Sequence, residues 1–412
     1  MPSTDDQAVA ASTDPVRGGD LLPAHVEAVF LEFLGRIASP EDVAIWMNVG
    51  SLRALLDGVL ASEEYAARRA RRASEPQDEA DGPFVNLWTP ELAAFHRPPG
   101  TVSGDGVAIV GGQGHLFLYG GSNDNLAMYR GEVPMAADWL ERWQALLSER
   151  IEQARAAARA ICFLVVPDKL AVYNDLFPQE LDGEERPLTR LLQVDVAPVL
   201  YPADALHAAR ADGETYMRTD SHLTPAGNRL LAEATLAALG VAPALLAGVS
   251  EAQTVHFSSG DLGQHFSPPI FELGEHLHEP SSAQLVFDNW PAIAAAGGHI
   301  GTLRVFRRDD APDPRTVVVF GDSYGFGDAA YPGVSWFMAQ TFREVHFVWV
   351  PFGWDPGYLD RVGADLVVCQ TAERFIARVP RPRVDVLSLA REGAADGPAL
   401  GLERIFADVT AA

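Results

Sequence analysis

The fold of this chain is set by the stretch Val317-Val318-Val319-Phe320-Gly321-Asp322-Ser323-Tyr324-Gly325-Phe326-Gly327-Asp328. Its first four residues are β-branched or aromatic and predict a buried strand that ends at Gly321. Ser323 then lies at the carboxyl end of the strand, where α/β sheets place their chemistry. A helix predicted over residues 331–342 would bring backbone N–H groups near a developing oxyanion. The alternative is an ordinary β-to-α turn in which Asp322 or Ser323 is a cap.

A second stretch, residues 216–228, offers the partners that a serine nucleophile needs, a base and an orienting carboxylate. Asp220 and His222 lie two residues apart, and in an extended segment such residues point to the same side. Asp220 would then bind one imidazole nitrogen of His222 and leave the other for Ser323. The alternative is structural. Thr224-Pro225 predicts a helix N-cap followed by proline at the first helical position, so Asp220 would only mark a helix entry and His222 would be a structural histidine.

Gly-Asp-Ser after an apolar strand, with Asp-x-His elsewhere, resembles the SGNH (GDSL-type) hydrolase superfamily. The order of these pieces, with Asp-x-His about a hundred residues before the serine, is similar to the alginate O-acetylation proteins of the AlgX/AlgJ type. Four further segments are similar to that family and follow its order: residues 112–118, 165–169 with Tyr173, 260–263 and 364–374. Leu223 departs from the pattern, because the family often has tryptophan after the histidine. This difference bears on the predicted substrate or donor pocket more than on the predicted triad.

The resemblance implies an α/β fold of the SGNH type, a three-layer sheet with flanking helices. It also implies an O-acetyltransferase that moves an acetyl group to a carbohydrate hydroxyl through an acyl-serine. Ser323, His222 and Asp220 would form its triad. The expected acceptor is a polysaccharide or glycan, and the acetyl donor would be a co-substrate, acetyl-CoA or an acetylated carrier, with no bound cofactor. Two rivals stay open: a carbohydrate acetyl esterase with the same triad, and a non-catalytic glycan-binding or assembly protein.

Five polar residues near predicted strand ends are candidates for binding substrate: Asp168, Lys169, Tyr173, Tyr324 and Arg374. Asp168 and Lys169 follow a predicted buried strand, and Arg374 follows another. Tyr324 follows the candidate nucleophile and could form a wall of the pocket. The alternatives are a capped turn for Asp168 and Lys169, an internal ion pair for Arg374, and simple packing for Tyr324.

Composition and charge exclude several classes of function. The chain has 412 residues, of which 48% are hydrophobic and 21% charged, as in ordinary globular proteins. The net charge of −25 argues against nucleic-acid binding, which needs a basic footprint. Cys162 and Cys369 lie in apolar runs and are predicted to be buried free thiols. The His-rich run at residues 275–279 lacks a matching partner cluster, so no metal site is predicted. No phosphate loop or dinucleotide fingerprint is present.

The N-terminus bears on the cellular location. Residues 1–20 are polar and acidic, without a basic start or an apolar core, so they do not predict a secretion signal. No stretch is long enough for a membrane span. These observations predict a cytoplasmic protein, whereas the resemblance to the alginate proteins implies a periplasmic or extracellular one.

The chain is predicted to have four parts: a disordered tail at 1–20, a small all-α domain at 21–73, a linker at 74–83 and the catalytic domain at 84–412. The helical part resembles a small domain of unknown function found in bacterial surface-layer and glycan-related proteins, which implies other glycan-pathway proteins as partners. In the catalytic part, strands are predicted at 107–110, 161–166, 194–200, 345–350 and 366–369. Helices are predicted at 136–160 and 225–239, and this alternation predicts a layered α/β sheet.

Overall fold

The structure is a computed structural model that describes residues 29–50, 52–74, 98–121, 124–181, 186–246, 253–266, 272–277, 282–327 and 332–396, with the single positions 21, 23, 26, 183, 249 and 270. The predicted tail at residues 1–20 lies outside these residues, and so does the predicted linker apart from Ser74.

The strands in the described residues belong to one large sheet and two small ones. In chain order they are β1 (Ala108–Val110), β2 (Leu116–Leu118), β3 (Ala160–Val166), β4 (Val199–Leu200), β5 (Gln253–Ser258), β6 (Glu272–Leu277), β7 (Gln284–Asp288), β8 (Leu303–Arg307), β9 (Asp313–Gly321), β10 (Phe342–Trp349) and β11 (Leu366–Ala372). The large sheet has seven strands in the order β4-β3-β11-β9-β10-β8-β7. The first five run parallel, β8 runs antiparallel to β10, and β7 runs antiparallel to β8 at the outer edge.

The centre of the large sheet is buried on both faces. Residues 316–321 of β9 and all of β11 are buried. Because successive side chains of a strand point to opposite faces, an unbroken buried run requires cover on both sides. The predicted α/β class with a layered, mostly parallel sheet is therefore confirmed.

The described helices, in chain order, are α1 (Pro40–Trp46), α2 (Leu52–Leu60), α3 (Glu63–Ser74), α4 (Asn125–Tyr129), α5 (Trp139–Ala156), α6 (Lys169–Val172), α7 (Pro187–Leu192), α8 (Ala203–Ala209), α9 (Pro225–Ala238), α10 (Gly260–Gly263), α11 (Trp290–Ala295), α12 (Val334–Ala339), α13 (Pro356–Val362) and α14 (Val386–Asp396). Among the helices of the described residues, none combines the length and apolar character that a membrane crossing needs.

Two helix starts follow the predicted capping chemistry. Thr224 precedes α9, and its hydroxyl accepts a hydrogen bond from the backbone N–H of Gly227 at 3.1 Å. Ser39 precedes α1 and forms a reciprocal capping box with Asp42. Proline occupies the start of both helices, where its missing N–H costs nothing. The predicted start at Pro225 is confirmed, and α1 starts with the same chemistry at Pro40.

Three predicted elements differ from the structure. The strand predicted at 107–110 does not join the large sheet, because β1 pairs antiparallel with β2 in a separate ribbon. The strand predicted at 194–200 is reduced to the two residues of β4 at the sheet edge. The helix predicted over 331–342 is shorter in the structure, because α12 spans Val334–Ala339 and the last predicted residue, Phe342, already starts β10. Residue 331 lies outside the described residues.

None of the predicted strands falls within residues 241–312, but the structure has four strands among the residues that it describes there. β5 and β6 form an antiparallel hairpin, and β7 and β8 extend the large sheet. β7 is the outer edge of this sheet, and its apolar side chains are largely exposed. An edge strand without a buried face does not show the alternation on which strand prediction depends.

The N-terminal region has an apolar cluster of its own. Its buried members are Leu21, Val26, Val29, Phe30, Phe33, Ala38, Leu55 and Val59. The Arg36 guanidinium ties the helices together, since it donates to Asp42 at 2.8 Å and to Glu64 at 2.6 Å. This arrangement agrees with a small all-α unit, whereas the boundaries at 21, 73 and 84 stay predictions.

Candidate active site

Ser323 lies in a turn that is anchored to the neighbouring strand β11. The backbone N–H of Asp322 donates to Gln370 Oε1 at 2.9 Å, and Gln370 Nε2 donates to Asp322 Oδ1 at 2.7 Å. The backbone N–H of Ala372 donates to Asp322 Oδ2 at 2.6 Å. A Cβ at position 321 would collide with the Gln370 side chain, so Gly321 is what allows this close approach. The Asp322 carboxylate is therefore a buried anchor of the turn.

The helix that follows the turn does not have the expected role. The backbone N–H groups of Val334 and Ser335, at the start of α12, donate to the carbonyl oxygens of Tyr324 and Gly325 at 3.2 and 3.1 Å. These groups hold the turn, so the expectation that they face an oxyanion is wrong. Within the described part of the chain, the backbone N–H of Ser323 itself has no hydrogen-bond acceptor.

The three residues expected to form a triad lie in one hydrogen-bonded chain. His222 Nε2 is 2.8 Å from Ser323 Oγ. His222 Nδ1 is 2.7 Å from Asp220 Oδ1. The Asp220 side chain is nearly buried, at 12% exposure, whereas that of His222 keeps 29%. The structure thus brings together a hydroxyl, an imidazole and a carboxylate in the order that nucleophilic catalysis uses.

The loop that carries Asp220 and His222 is not the extended segment that the prediction assumed. A β-bridge between Tyr216 and Leu223 and a hydrogen bond from Met217 N to the His222 carbonyl at 3.1 Å close it into a compact loop. Asp220 Oδ1 accepts the backbone N–H of His222 at 2.9 Å as well as its ring N–H. The two side chains therefore meet through the local turn that aspartate favours, and not through strand alternation.

Burial and neighbouring charges shift the pKa values of Asp220 and His222. Burial opposes the charge of Asp220, but the His222 imidazole and its hydrogen bonds outweigh burial and lower the pKa of Asp220. Burial likewise opposes the charge of His222, and the Asp220 carboxylate raises the pKa of His222 above its usual value. The Arg374 guanidinium acts in the other direction. A protonated imidazole is thus stabilised by its carboxylate partner.

A second carboxylate, that of Asp261, lies beside the histidine, and no local pattern in the sequence indicates its role. Asp261 accepts the backbone N–H of Ser221 at 2.6 Å, and its Oδ2 is 3.6 Å from His222 Nδ1. Gly260 makes this position accessible, since its φ is +57° and a Cβ there would strike the Thr219 carbonyl. The signal for Asp261 in the sequence is the family likeness of residues 260–263.

Lys169 is buried against the backbone of the loop that carries Asp220 and His222. Its ammonium donates to the carbonyl oxygens of Leu116, Met217 and Arg218 at 2.7 Å each and to that of Asp220 at 3.2 Å. Lys169 is the only lysine in the sequence, which otherwise uses arginine for its basic side chains. A compact ammonium suits converging carbonyls, whereas a planar guanidinium does not. The expected substrate contact by Lys169 does not fit this burial, and the structure assigns it to the support of the loop.

Two more buried groups support the same loop. The Tyr173 hydroxyl donates to Glu214 at 2.9 Å and accepts the backbone N–H of Thr215 at 3.0 Å. The Glu272 carboxylate accepts the backbone N–H of Thr219 at 2.7 Å. Burial lowers the pKa of Lys169 to about 8, and the Glu272 carboxylate opposes this shift. Tyr173, which was expected to touch substrate, is almost fully buried and belongs to this support.

The remaining three candidates, Asp168, Tyr324 and Arg374, are joined by hydrogen bonds in a largely buried cluster next to the His222 imidazole. Arg374 Nη1 donates to Asp168 Oδ1 at 2.6 Å and to the Tyr324 hydroxyl at 3.2 Å. The Tyr324 hydroxyl donates to the Ser221 carbonyl at 2.8 Å, and the Tyr324 ring centre is 5.0 Å from that of His222. The structure therefore shows the internal ion pair that was the alternative for Arg374, and it places Tyr324 against the imidazole.

Lys169→Met should lower the free energy of unfolding by about 3 kcal/mol, because it leaves several buried carbonyl groups without donors. Lys169→Arg should not restore the loss, since the guanidinium cannot reach the same carbonyls from one point. Urea unfolding followed by circular dichroism measures both variants. Arg142→Lys, on the surface of α5, is the matched control and should leave stability unchanged. A native-like Lys169→Arg would show that charge alone, and not the geometry of the ammonium, holds the loop.

Two other expectations concern cysteine and histidine. Cys162 and Cys369 are free and buried, as predicted. Burial raises their pKa values to about 12 and about 11, respectively, so neither is a reactive thiolate near neutral pH. In the His-rich run, His278 and the side chain of His276 lie outside the described residues.

Comparison with known structures gives distant similarities. The chain is similar to the O-acetyltransferase domain of Pseudomonas putida AlgJ, at 16% identity and a TM-score of 0.42, over 70% of this chain and 99% of that chain. It is similar to Bacillus cereus PatB1 with a sulfonyl adduct, at 11% identity and a TM-score of 0.43, over 62% of this chain and 93% of that chain. It is also similar to Pseudomonas aeruginosa AlgX, at 13% identity and a TM-score of 0.33, over 77% of this chain and 70% of that chain.

The family comparison is more specific. No curated protein matches the chain. The model of the SGNH hydrolase-like domain of acetyltransferase AlgX matches residues 128–333, which is half of the chain. The match includes Asp220, His222 and Ser323. The chain therefore belongs to the family of the SGNH hydrolase-like domain of acetyltransferase AlgX.

Proposed function

We propose that this protein is an O-acetyltransferase that moves an acetyl group to a carbohydrate hydroxyl through an acyl-serine intermediate. The observation that carries the proposal is the hydrogen-bonded chain from Ser323 Oγ to His222 to Asp220. It lies at the carboxyl end of β9, inside the segment that matches the acetyltransferase family. The partly exposed imidazole and hydroxyl can meet a substrate, whereas the carboxylate is shielded.

In the first half of the reaction, His222 Nε2 takes the proton of Ser323, and Ser323 Oγ attacks the acetyl carbonyl carbon of the donor. Asp220 stabilises the imidazolium that forms. The backbone N–H of Ser323, which has no acceptor among the described residues, is suited to donate to the oxyanion. Collapse of the tetrahedral intermediate breaks the bond to the donor, and His222 returns the proton to the leaving group.

In the second half, a sugar hydroxyl gives its proton to His222 Nε2 and attacks the acyl carbon. The bond to Ser323 Oγ breaks, and His222 reprotonates the serine. Water in place of the sugar would make the same site an esterase, so exclusion of water and retention of the sugar decide between transfer and hydrolysis.

The donor is either acetyl-CoA or an acetylated carrier, and we propose a polysaccharide acceptor because the family acts as an acetyltransferase. An acetylated carrier fits the periplasmic or extracellular location that the family resemblance implies, and acetyl-CoA fits a cytoplasmic one. Three of the residues expected to bind substrate would instead act through His222. The Tyr324 ring packs against the imidazole, and the Arg374–Asp168 ion pair lies next to Tyr324.

Mass spectrometry of an oligosaccharide incubated with the protein and an acetyl donor tests the function. An O-acetyltransferase adds the mass of an acetyl group to the oligosaccharide. An esterase removes an acetyl group from an acetylated oligosaccharide, and a glycan-binding protein changes neither. Loss of acetyl from the acetylated sugar without any gain on the free sugar would contradict the proposal.

We further propose that the helical domain at residues 21–73 recruits the acceptor or other glycan-pathway proteins. Its separate apolar cluster supports this proposal. A protein that begins at Gly82 should then fold and keep its turnover of a small ester, and lose activity or binding only with the polymer. Turnover of both substrates, with circular dichroism as the folding control, measures this. Insolubility, or loss of small-ester turnover, would show that the helical domain packs structurally on the catalytic one.

A further inference from the structure

Asp261 contacts three consecutive residues of the loop that carries the imidazole. Its backbone N–H donates to Asp220 Oδ2 at 3.0 Å. Its Oδ1 accepts the backbone N–H of Ser221 at 2.6 Å, and its Oδ2 accepts the Ser221 hydroxyl at 2.5 Å. The same Oδ2 is 3.6 Å from His222 Nδ1. Asp261 thus holds Asp220 and Ser221 in place by hydrogen bonds. It also places a carboxylate oxygen near His222 Nδ1.

The two carboxylates beside His222 differ in exposure and in hydrogen bonds. The Asp220 side chain is 12% exposed and bonds the ring nitrogen directly. The Asp261 side chain is 38% exposed and lies beyond hydrogen-bond distance from the ring. Asp261 therefore acts on the imidazole through its charge and through the position of Ser221, and not as a direct acceptor.

We propose that Asp261 is a second positioning carboxylate for His222, which fixes the loop through Ser221 and stabilises the imidazolium that forms during acyl transfer. The role in transfer rests on the proposed function, whereas the effect on the imidazole does not. A negative charge 3.6 Å from a ring nitrogen favours the protonated ring, even after solvent screening.

The effect of Asp261 on the His222 imidazole should depend on pH. Those that face His222 are Asp220, Asp261, Arg374 and the neutral Tyr324, with Lys169 beneath the loop. Burial and the Asp220 charge raise the pKa of Asp261 to about 6. Asp261 is therefore charged above about pH 6 and neutral below it. Its support of the imidazolium should be present at neutral pH and fade as the pH falls through about 6.

Asp261→Asn separates the charge from the hydrogen bonds, because the amide oxygen can still accept the Ser221 N–H. The His222 imidazole titration, followed by NMR, should shift to a lower pKa in this variant, and kcat should fall on the order of tenfold. Ser221→Ala is the matched control. It removes the hydroxyl hydrogen bond but keeps the Asp261 charge at neutral pH, so the pKa of His222 should stay closer to the native value than in Asp261→Asn.

A second measurement, the NMR titration of His222 in the native protein, needs no substitution. The His222 ring resonances should show an additional inflection near the pKa of Asp261, about pH 6. A single transition, or an unchanged His222 titration in Asp261→Asn, overturns the inference even if kcat falls. If the oligosaccharide assay shows no acetyl transfer while the His222 titration shifts, the proposed function fails and the inference about Asp261 stands.

Discussion

Ser323→Ala should abolish acetyl release from a small activated ester and leave the fold intact. Ser323 Oγ is 2.8 Å from His222 Nε2, and no other hydroxyl in the described residues is hydrogen-bonded to this nitrogen. Loss of the nucleophile of a triad lowers kcat by several orders of magnitude. The turn itself should survive, because its anchors are the Asp322 carboxylate and the backbone, and these do not involve the serine hydroxyl.

Turnover of the ester and thermal unfolding should be measured on the same preparation of Ser323→Ala. Ser388→Ala is a suitable control, since Ser388 lies on α14 and its hydroxyl donates to Glu392 at 2.7 Å, away from the turn. The control should keep native turnover. Near-native turnover by Ser323→Ala, with an unchanged melting temperature, would show that Ser323 is only a turn residue.

The sequence predicted the parts of the site that depend on local patterns. The run from Val317 to Phe320 is apolar on both faces, and such a run is typical of a central parallel strand. Ser323 follows it directly, and Thr224-Pro225 marks the start of α9 just after the histidine. Each of these signals depends on residues within a few positions of one another, which is why a single sequence showed them.

Other parts of the site depend on contacts between distant segments, which no local pattern reports. Lys169 is buried because carbonyls from β2 and from the loop before His222 converge on it. Asp261 reaches the imidazole because β5 and the glycine at 260 bring a separate segment against that loop. Both residues lie in segments with a family likeness, but their roles follow from partners about 40 to 50 residues away.

Asp220→Asn should lower kcat/KM by about three to four orders of magnitude, far more than Asp322→Asn does. Asp220 Oδ1 binds His222 Nδ1 at 2.7 Å and carries the charge that stabilises the imidazolium. An amide at position 220 has no charge and can offer a donor where the ring nitrogen needs an acceptor. Asp322 lies next to the nucleophile in sequence, but its carboxylate points at Gln370 and Ala372 in β11.

Asp322→Asn should therefore act on stability more than on chemistry. Both Asp322 oxygens accept N–H groups, so an amide nitrogen would meet a donor, and the buried mismatch should cost about 1–3 kcal/mol of unfolding free energy. Urea unfolding gives the stability of each variant, and kcat/KM is then compared at a temperature where both are folded. Because Asp220 faces the imidazole and Asp322 faces the sheet, the larger loss of rate belongs to Asp220→Asn. The reverse ranking in folded protein would refute the assignment of Asp220 as the third member of the triad.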